Sequence, residues 1–515
     1  MKESKLFVRR ITSTLLILVI SLALVLFANG LFFSKAEAAF PFGDNFFFLA
    51  SLGVVLCTVI VLLSLPFNNR YALKPWLVTL VLISAVTAYY SNEFGVVIDD
   101  TMLINVLETN PSEAASLLTW KFLAYLALGG ILPSVIIVLW PVVHRSGLSS
   151  VWFNIKLATA SVLIIVACLI LFGSSYASFF RENKPIRYHS NPTYPIYSLI
   201  KLITSGRSHW KPDTLKTVLP DAQISASDPH RELMILVVGE TARADHFSLY
   251  GYSRRTNPLL AEEPNLQVFA DVSACGTSTA ISVPCMFSQR DRKDFDRSKA
   301  RQEEDVLDIL ARVGISVLWR DNNSSSKGVA DRLPYEDFRS PKVNPVCNPE
   351  CRDVGMLDGL QDYINRQPGD ILIVLHQMGS HGPAYYKRVP EAFARFQPSC
   401  QSAQLNECSR EEIINAYDNT ILYTDYFLSE VIKLLKVNQM QFEAAMLYIS
   451  DHGESLGEGG VYLHGIPYFM APEAQTKVPT LLWYGPHNDI DEGELQNSLI
   501  HPTSHDFLFN MLVRL

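Results

Sequence analysis

Five stretches without a charged residue, at 11–34, 45–69, 75–92, 122–143 and 157–180, fill the first third of this chain. Each is near or above the roughly 18–20 residues that a helix needs to cross a hydrocarbon core. The span at 75–92 is the shortest. Lys2, Lys5, Arg9 and Arg10 precede the first span, as basic residues precede a cleaved signal peptide. Its length and the four spans behind it argue instead for a retained helix. The apolar excess lies before residue 180, in a chain that is 49% hydrophobic and 18% charged overall. At 515 residues the chain exceeds one ordinary domain, so at least two units are expected.

The short loops set an orientation. The N-terminus is basic, the 70–74 loop carries Arg70 and Lys74, and 144–156 carries Arg145 and Lys156. The 35–44 loop is mixed, with Lys35, Glu37 and Asp44, and 93–121 is acidic, with Glu93, Asp99, Asp100, Glu108 and Glu113 against Lys121. The alternation places the N-terminus inside and everything after residue 180 outside. Cys57 and Cys168 lie within spans, as small apolar packing residues. The other six cysteines fall as neighbours, Cys275/Cys285, Cys347/Cys351 and Cys400/Cys408. An oxidising compartment would make these three local disulfides, although the pairing among six is formally open. A zinc finger is disfavoured, because no CxxC pair occurs. A net charge of −8 says little about partners, and there is no nucleic-acid footprint.

Residues 181–220 form a connector of aromatic and basic residues: Arg181, Lys184, Arg187, Tyr188, Tyr194, Tyr197, Lys201, Trp210 and Lys211. That mixture suits the lipid interface, and a solvated linker equally well. From 230 onward, short β-rich apolar runs at 233–238, 315–319, 371–375, 445–449 and 479–484 alternate with helical patterns at 305–313, 356–365 and 411–436. This alternation predicts an α/β domain with a largely parallel sheet and helices on both faces. In such sheets ligands bind beyond the carboxyl ends of the strands. Glu240, His376 and Asp451-His452 occupy that position in the sequence.

A carboxylate that closes a buried strand is costly unless paired or coordinated. Glu240 and Asp451 repeat that arrangement, with His452 alongside, and oxygen plus imidazole donors suit Zn²⁺. Taken singly, each acid reads equally well as a helix cap. The segment Cys275-Gly-Thr-Ser-Thr-Ala-Ile-Ser-Val-Pro-Cys285 offers Thr277, Ser278, Thr279 and Ser282. A hydroxyl needs a base or a metal to become a nucleophile, and composition does not choose among the four. A membrane anchor joined to a metallohydrolase-like site points to an enzyme acting on lipid head groups.

The segments Val238-Gly-Glu-Thr-Ala-Arg-Ala-Asp245, Ala274-Cys-Gly-Thr-Ser-Thr-Ala280, His376-Gln-Met-Gly-Ser-His-Gly-Pro383, Ser450-Asp-His-Gly-Glu-Ser455 and Leu463-His-Gly465 closely resemble those of phosphoethanolamine transferases. These are inner-membrane enzymes of the alkaline-phosphatase/sulfatase superfamily. The resemblance is closest to the lipid A-modifying branch that includes the mobile colistin-resistance enzymes, and it covers nearly the whole chain. It implies a five-helix transmembrane domain at 1–180, a membrane-interface connector at 181–220 and a periplasmic α/β sulfatase-like catalytic domain at 221–515. Glu240, Thr279, Asp451 and His452 would be the zinc ligands, with Thr279 the nucleophile. His381 and His464 match positions that line the substrate phosphate or hold a second zinc. Asn323 and Lys327 match residues near the phosphoethanolamine group. Asn105, Thr109 and Glu113, spaced for one helical face, match residues that meet the donor head group. His376 is left as structural.

The activity so implied is zinc-dependent transfer of phosphoethanolamine from phosphatidylethanolamine to a lipid A phosphate through a threonine intermediate. It would lower the negative surface charge and raise polymyxin resistance. The partners would be the donor lipid, lipid A and the membrane, around a monomer that binds no nucleic acid. The rival expectations are another donor or acceptor, such as phosphoglycerol to glucan or phosphoethanolamine to a core sugar, and a non-catalytic membrane sensor.

Overall fold

The structure is a computed structural model that describes residues 10–109, 114, 115, 117–205, 215–224, 230–348 and 350–514. Lys2, Lys5, Arg9, Glu113, Trp210 and Lys211 lie outside the described residues. The chain divides into two compact units, Met1–Leu103 with Leu118–Thr204, and Ile104–Leu117 with Ser205–Leu515.

The first unit is helical: α1 (Ser13–Phe27), α2 (Gly30–Ala39), α3 (Phe42–Ser64), α4 (Leu73–Phe94), α6 (Trp120–Leu139), α7 (Gly147–Leu171), α8 (Gly173–Arg181) and α9 (Thr193–Ser205). A short α5 (Asp100–Glu108) runs from this unit into the second. Among the described residues four helices are long and apolar enough to cross a membrane, and five if the bent pair α1–α2 is one span. The expected first span at 11–34 is therefore corrected to two helices that meet at 60°. Asn29 causes the break, because its side-chain amide donates to the carbonyls of Leu24 and of Asn191. The expected fifth span at 157–180 is also corrected. α7 starts at Gly147, so Lys156 is helical rather than in a loop, and residues 173–180 form α8 instead of continuing the span. In α6 the stretch Leu126–Ile131 is π-helical, and a Cβ on Gly130 would come within 3.3 Å of Ala85 Cβ on α4, so glycine permits that close approach.

The second unit holds a seven-stranded sheet. Its strands are β1 (Glu232–Gly239), β2 (Leu266–Val268), β3 (Ser316–Asp321), β4 (Tyr335–Asp337), β5 (Ile371–His376), β6 (Glu443–Ser450) and β7 (Thr480–Tyr484). The order is β2-β7-β6-β1-β5-β3-β4, with only the β7 pairings antiparallel. β1 is central and buried on both faces, which explains its unbroken apolar run. Leu233, Ile235 and Val237 face one core with the long helix α12 (Arg410–Asn438). Met234, Leu236 and Val238 face another, with α10 (Thr279–Met286) and α11 (Val306–Val313). The three-residue edge pieces β2 and β4 left no readable pattern in the sequence. All three neighbouring cysteine pairs are bonded, Cys275–Cys285, Cys347–Cys351 and Cys400–Cys408, while Cys57 and Cys168 are free in α3 and α7.

Candidate active site

Gly239 at the end of β1 stands opposite Ser450 at the end of β6. Glu240 and Asp451 therefore leave the sheet side by side, and both are fully buried with His452. The third contributor comes from α10, whose first residue is Thr279 after an extended Ser278. Thr279 Oγ1 lies 3.1 and 3.3 Å from the Glu240 carboxylate oxygens and 3.3 Å from His452 Nε2. His452 Nε2 is 3.5 Å from Glu240 Oε1 and 3.4 Å from Asp451 Oδ2.

Those contacts cannot all be hydrogen bonds. His452 Nδ1 lies 2.9 Å from the Gly453 carbonyl, which can only accept, so the proton sits on Nδ1 and Nε2 presents a lone pair. That lone pair faces two carboxylates, and the threonine hydroxyl has one proton to share among them. Asp451 Oδ2 has no hydrogen-bond partner among the described residues. Burial first, and then the neighbouring Glu240 charge, push the Asp451 carboxyl well above the ordinary aspartate range. Burial, with His464 next, pulls His452 well below its usual value.

A cation relieves this crowding. Ligands about 2.1 Å from a tetrahedral zinc sit about 3.4 Å from one another, which matches the measured 3.1–3.5 Å separations of this cluster. Glu240, Asp451 and His452 form a group that could hold a metal ion.

Surrounding residues fix these four. Asn323 Nδ2 donates to Glu240 Oε2 and, at 2.8 Å, to the Gln377 carbonyl. Gly379 has φ +51°, and a Cβ there would lie 2.8 Å from the Glu240 carbonyl oxygen, so no side chain fits. Asp353, which sequence reasoning missed, accepts from Asn322 Nδ2 and from the Met378 and Gly379 amides, at 2.8, 2.8 and 3.1 Å. His505 was missed too. Its Nε2–H donates to the Ser450 carbonyl at 3.0 Å, and its Nδ1 accepts from the Cys275 amide at 3.1 Å. It thereby ties the end of β6 to the loop before α10, and burial lowers it to about 4. Ser282, one turn beyond Thr279, donates to the Asp451 carbonyl.

The His464 ring lies tilted 4.4 Å from that of His452, with His381 edge-on 5.4 Å from His464, so two more imidazoles adjoin the cluster. His464 Nδ1 is held by Glu454 Oε2 at 2.9 Å, and the other Glu454 oxygen accepts from Tyr385. His376 bonds Asp321 Oδ2 at 2.9 Å beneath Trp319, a buried structural pair. Lys327 is buried with φ +54° and belongs to a second cluster around Glu108. Thr109 lies just past the end of α5 and bonds back to the Asn105 carbonyl at 2.7 Å. Glu113 lies outside the described residues.

A largely parallel sheet with acids and an imidazole that could hold a metal at its strand ends, and a hydroxyl at a helix start, defines a sulfatase-like class. Residues 232–515 match the sulfatase family model, and residues 55–206 match the model described as phosphoethanolamine transferase EptA/EptB. Phosphatidylethanolamine transferase Mcr-2 of Escherichia coli is 44% identical over 90% of this chain and 88% of its own length. Phosphoethanolamine transferase EptA of E. coli K12 is 39% identical over 95% of this chain and 91% of its own. The solved lipooligosaccharide phosphoethanolamine transferase A of Neisseria meningitidis, an integral membrane protein, superimposes with a TM-score of 0.93 at 34% identity. That match covers 98% of this chain and 96% of the other. The chain belongs to the phosphoethanolamine transferases, as an inner-membrane enzyme whose strand ends carry a group that could hold a metal ion.

Proposed function

We propose that this enzyme moves phosphoethanolamine from phosphatidylethanolamine to a phosphate of lipid A by a ping-pong route through Thr279. The observation that carries the proposal is the buried meeting of the Thr279 hydroxyl with Glu240 and His452 at 3.1–3.3 Å, beside Asp451. Glu240, Thr279, Asp451 and His452 would hold a zinc ion, whose positive charge would make the threonine oxygen nucleophilic near neutral pH. Thr279 Oγ1 forms a bond to the donor phosphorus in line, and the phosphorus–oxygen bond to diacylglycerol breaks. The proton released from Thr279 balances the one the diacylglycerol oxygen gains. An oxygen of the lipid A phosphate then bonds to that phosphorus, the phosphorus–Thr279 Oγ1 bond breaks, and the acceptor's proton returns to Thr279.

His381 and His464 line the phosphate oxygens, Asn323 holds Glu240 in place, and Lys327 attracts the phosphate. Asn105, Thr109 and Glu113 receive the ethanolamine end. The working unit is a monomer with membrane helices at 1–180, an interfacial connector at 181–220 and a periplasmic catalytic domain at 221–515. Each transfer adds an ammonium to an anionic lipid, which weakens the attraction for polymyxins.

Intact-mass measurement tests the proposal. Purified wild type incubated with phosphatidylethanolamine gains one phosphoethanolamine, and Thr279→Ala gains none. An adduct that persists in Thr279→Ala, or none on the wild type, overturns it.

A further inference from the structure

Glu108 is assigned no role by sequence, yet two arginines and Lys327 converge on it. Its Oε1 accepts from Arg297 Nη2 and lies 3.6 Å from Arg301 Nη2. Its Oε2 has no hydrogen-bond partner among the described residues and lies 3.9 Å from Lys327 Nζ. The side chains of Arg297 and Lys327 are 8% and 4% exposed, so the cluster holds buried charge. Burial pulls the Arg297 guanidinium below its usual value, and Glu108 opposes that pull. Removing a partner from such a pair leaves an uncompensated buried charge.

The carboxylate sits at the last turn of α5, between Asn105 and Thr109 in the sequence, and Ile104–Leu117 belongs to the catalytic unit. Arg297, Arg301 and Lys327 also line up in that unit, and Glu108, Arg301 and Lys327 border one cavity of about 540 Å³. One side chain thus ties the Asn105–Thr109 segment to the lysine that the proposed function places on the substrate phosphate.

We propose that Glu108 is a positioning residue for donor recognition. Its pairing with Arg297 and Arg301 fixes Asn105 and Thr109 relative to Lys327, so that phosphate and ethanolamine are gripped at a set spacing. This rests on the proposed transfer through Thr279 and deepens it.

The test uses full-length enzyme in lipid nanodiscs with a fluorescent phosphatidylethanolamine as donor. Glu108→Gln raises the donor KM about tenfold, as expected for a lost charge-assisted hydrogen bond, and leaves kcat within about twofold. Arg301→Gln, at a more exposed position, raises KM by less. In Arg301→Gln the further effect of Glu108→Gln shrinks, because the two act as one unit. Glu108→Asp recovers part of the loss. An unchanged or lowered KM in Glu108→Gln overturns the inference, the second result marking Glu108 as a competitor for the phosphate. A loss in kcat alone that tracks thermal destabilisation, without recovery by aspartate, also overturns it. If the wild type forms no phosphothreonine, the transfer proposal has failed rather than this one.

Discussion

In the membrane unit, the Asn29 amide donates to the carbonyls of Leu24 and Asn191 and accepts from the Asn191 amide at 2.8 Å. The Asn191 side chain in turn donates to the carbonyls of Ala28 and Ser84 and accepts from Thr87. Every donor and acceptor on those two side chains is used, and the network is neutral. At the strand ends of the catalytic unit the reverse holds. Two carboxylates and an imidazole lone pair crowd one hydroxyl, and Asp451 Oδ2 is left unbonded. Buried polar groups that satisfy one another make structure. Buried groups that cannot do so call for a positive partner, as a metal ion would be.

The largest expected effect comes from breaking the unsatisfied side of that contrast. Thr279→Ala lowers phosphoethanolamine transfer by at least about a thousandfold, because no other group supplies the nucleophile. Mass spectrometry of lipid A from expressing cells checks this.

Asp451→Asn sharpens the contrast through two opposed readouts. Metal affinity, read by titration into the chelated protein, falls by at least about a hundredfold. The thermal midpoint of the chelated protein rises, by about 1–2 kcal/mol of stability, since the repulsion with Glu240 is gone. A fall in that midpoint would mean that the cluster is self-sufficient without a cation.

On the satisfied side, Asn29→Ala costs about 2 kcal/mol of stability by orphaning the Asn191 amide and carbonyl. Transfer activity per folded molecule stays within about twofold, as fluorescence-detected melting and normalised assays would show.

The pH response is comparable in size, but it appears only on acidification. His505 is held neutral at about 4 in the folded protein, against 6.5 for the free side chain. The unfolded chain therefore takes up this proton first as pH falls below 6.5, so stability is full above that value and is lost towards 4. Between pH 7 and 5 the loss is about 2 kcal/mol. His505→Gln flattens that part of the melting profile.

Much of this was legible along the chain. An apolar run of strand length that stops at an acid, as at Glu240 and Asp451, marks both a strand and a candidate ligand, because burying a carboxylate needs a reason. The expected strands at 233–238, 371–375 and 445–449 appear as β1, β5 and β6, each extended by one to three residues. Other features left no local signal. Asp353, His505 and Glu108 work through partners far away in the sequence, 189 residues in the case of Glu108 and Arg297. The bend at Asn29 was hidden for the same reason, since its partner is Asn191, 162 residues on. An apolar stretch reports that it belongs in lipid, not whether it runs straight.

Composition and periodicity alone determined the membrane helices, the α/β catalytic fold and the acids at its strand ends, because hydrophobic burial and backbone pairing follow local pattern. Which hydroxyl among four meets those acids was decided by tertiary structure, through the start of α10 docking against β1 and β6. The same holds for the charge balance at Lys327. Coulomb and hydrogen-bond energies depend on distances in space, and a linear order of residues does not contain them.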